Sequence, residues 1–171
     1  MEKPYNYRNC QSLFGYALNV HKRSGGICQF CGCNAGEKVD FDLWRQLSVE
    51  HIIGTIRGGD VKDIRIAIAH RFPELSPAER ERLVQRIDES NTVTACGFCN
   101  SMTSQHDKHG KKISEILDGA KGSPDEIVDM ILLEICKMFE EKRVDVRRKI
   151  EAVRVSFDSL VQPDLIKARA R

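Results

Sequence analysis

Two short cysteine pairs frame an acid–imidazole dipeptide in this chain. Cys28 and Cys31 stand in ICQFCG, Cys96 and Cys99 in NTVTACGFCN, and Glu50-His51 lies between them. Each C-x-x-C turn offers two thiolates, and two such turns fill the tetrahedral sphere of a structural zinc. That sphere is closed, so it has no use for Glu50 or His51, and these two belong to other chemistry. Hydrolysis of a phosphodiester suits them. A histidine can take a proton from water near neutral pH. A hard divalent cation, held by carboxylate, amide and water oxygens, can neutralise charge on the phosphoryl group. His51 is then the candidate base, and Glu50 with an amide oxygen would hold the cation. Neighbours on a strand point to opposite faces, so one shared site requires the strand to end or kink here.

The elements that must position these residues follow from pattern. Leu13, Phe14, Ala17, Leu18 and His21 recur at helical spacing and predict an amphipathic helix over 6–22, stopped by Ser24-Gly25-Gly26. Phe41-Asp42-Leu43-Trp44 and residues 47–53 read as two strands of a hairpin, the second carrying Glu50-His51 near its end, with Trp44 packing under the zinc. Asp60 can cap a helix bearing Ile64, Ala67 and Ile68, and Ser76-Pro77-Ala78-Glu79 is a capping box opening a helix to about Glu89. These two form a helical insertion at about 60–90. A helix is expected from near Asn100, and a short one between Lys111 and Gly122. Ser123-Pro124-Asp125-Glu126 opens a long helix with Ile127, Ile131, Ile135, Phe139, Val146, Ile150, Val153, Phe157 and Leu160 on one stripe. That stripe suits intramolecular core or a homodimer seam. Cys33 is expected to be a bystander to the zinc, and Cys10 and Cys136 small core residues.

A chain of 171 residues is long enough for one domain and an appendage. No apolar run approaches the roughly 20 residues of a membrane helix, and MEKPYNYRNC has no secretory core. The expectation is a cytoplasmic protein with reduced thiols, where seven cysteines favour metal ligation over disulfides. A net charge of +2 is too close to neutral to imply nucleic acid by itself. The clusters His106 to Lys112, Arg147-Arg148-Lys149 and Lys167, Arg169, Arg171 could meet phosphates or be solvated helix faces.

Taken in order, Cys-x-x-Cys-Gly, Glu-His-Ile-Ile, a Gly-Gly turn, and an Asn leading into Cys-x-x-Cys-Asn resemble the HNH endonucleases of the ββα-metal fold, over about residues 20 to 110. The resemblance implies an α+β protein with a ββα-metal core clipped by structural Zn2+. It implies a nuclease domain over about 1–120, followed by a C-terminal helical region at 121–171 for dimerisation or DNA binding. By position, His51 matches the general base and Glu50 a metal ligand, where the family has aspartate or histidine. Asn91 matches the asparagine that braces the active-site loop, and Asn100 the third signature residue, also a ligand of the catalytic Mg2+ or Mn2+. Cys28, Cys31, Cys96 and Cys99 match the zinc ligands, while Gly54 and Thr103 stand where proline and lysine are common. The implied activity is cleavage of double-stranded DNA, as a restriction-type enzyme or as a homing or partner-activated defence nuclease. The contrasting reading is a zinc ribbon that binds nucleic acid or protein and catalyses nothing; it needs only the four cysteines.

Overall fold

Strand β1, Leu47–His51, pairs antiparallel with β2, Thr92–Cys96, in the register Leu47↔Cys96 through His51↔Thr92. A computed structural model supplies this description, which covers residues 17–103 and 110–170. Cys10, Leu13, Phe14, His106, Lys108, His109 and Arg171 lie outside the described residues. Among those described, this two-stranded sheet sits within a helical protein, giving an α+β fold. No helix there is long and apolar enough to cross a membrane.

The expected partner of β1 is corrected. Residues Phe41–Trp44 form one helical turn, α2, because Asp40 caps it: its carboxylate accepts from the Leu43 N–H at 2.9 Å. Two apolar residues alternating with an acid and a tryptophan looked like a strand, but the local cap competes with the ladder. The true partner, β2, follows the helical insertion.

That insertion comprises α3, Val61–Arg71, and α4, Pro77–Asn91. Asp60 accepts from the Lys62 and Asp63 N–H groups at the start of α3, and Ser76 with Glu79 closes a capping box on α4. Helix α4 runs two residues beyond the expected Glu89 and delivers the chain straight into β2. Next come α5, Gly97–Thr103, and α6, Ile113–Gly119. Helix α5 begins three residues before the expected Asn100, so the second cysteine pair lies at its start.

The long helix α7 spans Pro124–Ser156 behind its own Ser123/Glu126 capping box. A π turn at Phe157–Val161 and α8, Gln162–Arg169, continue it. Ile127, Val128, Ile131, Ile135 and Val146 of α7 join Ile64, Ile68, Leu83, Val84 and Ile87 of the insertion in one buried cluster. The Phe30 and Phe139 rings meet at 5.4 Å and seat α7 on the first cysteine turn. Cys136 is exposed, against the expectation of a core position. It lies one residue past Ile135, and about 100° of helical rotation carries it off the buried stripe. Trp44 stacks with Phe41 at 6.2 Å and borders Gly26, where an added Cβ would lie 3.7 Å from its ring. Beyond Ile150, the stripe residues Val153, Phe157 and Leu160 are exposed.

Candidate functional site

The two cysteine turns converge because β2 serves both. The first turn closes through Gly32, whose N–H donates to the Cys28 carbonyl at 2.8 Å and whose φ of +77° suits glycine. Gln29 docks this turn on the free edge of β2, donating its N–H to the Thr94 carbonyl at 2.9 Å. Its side-chain oxygen accepts from the Thr94 N–H at 3.2 Å. The second turn leaves the end of β2 and becomes α5, with the Gly97 N–H donating to the Gln46 carbonyl at 3.1 Å. The sulfurs of Cys28, Cys31, Cys96 and Cys99 consequently lie within 4.8 Å of one another, and those of Cys31 and Cys96 are 3.9 Å apart. Sulfurs about 2.3 Å from a tetrahedral zinc would be about 3.8 Å apart. The cluster can therefore hold a zinc-like ion with little movement. Hydrogen bonds from Cys96 and then Cys99 pull the Cys28 thiol well below its usual range, whereas the bond to Cys28 holds the Cys99 thiol up and burial raises Cys31. Cys33 stays outside the four; burial pushes its thiol up, and its carbonyl accepts from the Cys28 N–H at 3.1 Å.

Strand pairing sorts the remaining candidates onto two faces. Glu50 and Ser48 share one face with their partners Val93 and Ala95, while His51 pairs with Thr92 on the other. On the Glu50 face, Asn100 of α5 donates to the Ser48 hydroxyl at 2.8 Å, which brings its amide beside β1. Glu50 itself is buried. Its Oε1 accepts from the Lys142 ammonium of α7 at 3.1 Å, and both side chains are only 7% exposed. Lys142 also donates to the His51 carbonyl at 3.4 Å.

On the opposite face, half-buried His51 ends β1. Asp88, one turn before Thr92 on α4, feels its charge: burial raises the Asp88 carboxyl, and His51 and then Arg23 oppose the rise. Arg23, from α1 (Ala17–Arg23), donates to the Thr92 hydroxyl at 2.7 Å. His21, on the same helix, lies buried with Nδ1 3.0 Å from the Thr94 hydroxyl, and burial lowers its pKa. The strand ends at these residues, as a shared site requires, yet Glu50 and His51 still leave it on opposite sides.

Asn91 is the last residue of α4 and is fully buried. Its Oδ1 accepts from the Ile53 N–H at 2.7 Å, and its Nδ2 donates to the carbonyls of Ile53 at 3.1 Å and Gly59 at 2.8 Å. One side chain thus pins both ends of the loop that follows His51. The fit leaves no room at Gly59, where an added Cβ would fall 1.7 Å from the Ile53 oxygen and 2.9 Å from the Asn91 amide nitrogen. Of the expected residues, the structure gathers the four cysteines in one cluster and sets Glu50 beside Ser48 and Asn100. It gives Asn91 to the loop and sets His51 opposite Thr92 on the other face of β1, where its charge acts on Asp88. Sequence reasoning missed Lys142, Ser48 and Asp88.

Set against known proteins, the chain matches no family model, no curated protein and no solved structure.

Proposed function

We propose that the chain is a metal-dependent endonuclease of the HNH kind that hydrolyses phosphodiester bonds in double-stranded DNA. One observation carries the reading: two antiparallel strands and a helix follow in the order β1, β2, α5, with Glu50-His51 ending the first strand and Asn100 on the helix. Asn91 supports it by fixing the loop after His51, so that the imidazole sits on a rigid strand end. In this reading the half-buried His51 takes the proton of the attacking water at an imidazole nitrogen, and Asp88 favours the imidazolium that results. Glu50 and Asn100 offer oxygens of the type that Mg2+ or Mn2+ prefers, and such an ion supplies charge stabilisation when bound. The donor types fit. The closed arrangement does not, because an ammonium already holds Glu50. A second copy is the proposed occupant of the exposed Val153, Phe157 and Leu160 seam, since two sites cut two strands.

The Glu50–Lys142 pair favours one rival. A carboxylate satisfied by a buried lysine needs no ion, which suits a zinc-clipped binding module without catalysis. Supercoiled plasmid incubated with zinc-replete protein and Mg2+ or Mn2+ separates the two. The proposal expects nicked and then linear DNA. Plasmid that is retarded in a gel yet stays supercoiled would replace the nuclease with the binding module.

A further inference from the structure

Every residue from 151 to 170, along the end of α7, the π turn and α8, is exposed. Among them Val153, Phe157, Leu160, Val161, Leu165 and Ile166 are each at least 39% exposed. Helices in proteins are held chiefly by packing an apolar face, and an apolar face this long in water marks a surface that something covers. The same stretch walls a groove of about 690 Å³, with Ile150, Val153 and Phe157 on one side and Phe98 of α5 on the other. Cys31, Cys33 and Cys96 line that groove and are only half-buried.

The charges on this stretch indicate what covers it. Residues 151–170 hold three acids, Glu151, Asp158 and Asp164, and three bases, Arg154, Lys167 and Arg169. A face so balanced has little net attraction for a polyanion such as DNA. Arg154 and Asp158 both border the groove, one helical turn apart, and form no ion pair among the described residues. Opposite charges placed this way are self-complementary under a two-fold axis. Antiparallel helices crossing between them set Arg154 of each copy against Asp158 of the other and bring the two Phe157 rings together. The same run carries Val161 and Leu165 of one copy back over Ile150 and Phe98 of the other. We propose that two copies of this chain dock their C-terminal helices antiparallel about Phe157, and that each copy's Val161 and Leu165 roof the other's four-cysteine groove. An apolar roof keeps water from the half-buried sulfurs, as the shell around a metal site does. The inference takes up the second copy named with the nuclease reading and goes beyond it, since the partner shields the cysteine site whether or not DNA is cut.

The test is the mass in solution of zinc-replete full-length protein, measured by sedimentation equilibrium. Wild type should have twice the chain mass at micromolar concentration, and Phe157→Ser should be monomeric. Arg154→Asp sets like charges across the axis and should weaken the pair at least about tenfold, as should Asp158→Arg. Mixing these two variants should restore pairing, because each charge then faces its opposite. Both positions lie on an exposed helix, so neither change disturbs the core. Maleimide labelling of Cys33, mapped by mass spectrometry, should be slower in the wild-type dimer than in Phe157→Ser. Wild type that stays monomeric, a dimer indifferent to both charge reversals, or Cys33 labelled equally in dimer and monomer would overturn the proposal. A monomer that retards DNA, and loses that retardation in Phe157→Ser, would overturn it and give the face to DNA. A dimer with these responses that leaves plasmid uncut supports the interface and removes the nuclease reading. A wild-type monomer that cuts plasmid removes the interface and leaves the nuclease.

Discussion

Stripping zinc from the protein is expected to lower its melting temperature by about 20 °C or more. Coordination energy becomes folding energy when the unfolded chain has no preformed site, and in small zinc modules it amounts to about 10–16 kcal/mol. Domains of ordinary size have only about 5–15 kcal/mol in total. Here the ion would bridge segments 65 residues apart in sequence, since Cys31 meets Cys96. Without it, four thiols crowd together, and the first turn rests on the Gln29 contacts with β2, the Phe30–Phe139 packing and the Arg147 bond to the Phe30 carbonyl. The helical cluster of α3, α4 and α7 has its own buried aliphatics and should outlast the sheet. Chelation, or Cys99→Ser, should therefore melt the sheet region first, whereas Cys33→Ser should retain one zinc per chain by metal analysis. A chelated protein with an unshifted melting curve would show that the cysteines carry no structural ion.

Breaking the Glu50–Lys142 pair should be the largest single-residue effect on stability away from zinc. Glu50→Ala leaves the Lys142 ammonium in the interior without its Glu50 carboxylate, and Lys142→Ala leaves the buried Glu50 carboxylate without that ammonium. Removing one partner of a buried pair costs about 3–5 kcal/mol. The pair's own net contribution is a different quantity and can be near zero, because both ions were desolvated to form it. Glu50→Gln combined with Lys142→Met should accordingly recover most of the loss in urea denaturation. Single variants as stable as wild type would mean that water reaches the pair, contrary to its 7% exposure.

The contrast between these two sites explains what was legible in the chain. The four-cysteine cluster is written locally: each C-x-x-C pair is a turn, and only the meeting of the turns is tertiary. Capping boxes at Ser76 and Ser123 are likewise local, and both form. The strand partner of β1 was not legible, because 40 residues of insertion separate it from β2 and Asp40 gives Phe41–Trp44 a helical cap. Asn91 could be located by its place before the second cysteine pair, but its three bonds reach Ile53 and Gly59, which sequence does not place beside it. Lys142 did leave a signal. The stripe steps from Phe139 to Val146 in one stride of seven, and the position that completes the alternation of three and four is a lysine. A charge at a seam position asks for a buried partner. Glu50, in a strand of mostly apolar and small residues, was the acid to match it with.

His51, at the end of β1, is the proposed base in DNA hydrolysis. Single-turnover cleavage of a supercoiled plasmid by zinc-replete wild type and His51→Ala, each with saturating Mn2+, tests it most directly. The variant should keep its metal content and its melting temperature and lose about two to four orders of magnitude in rate. Equal rates in the two proteins, or a wild type that leaves the plasmid intact, would contradict it.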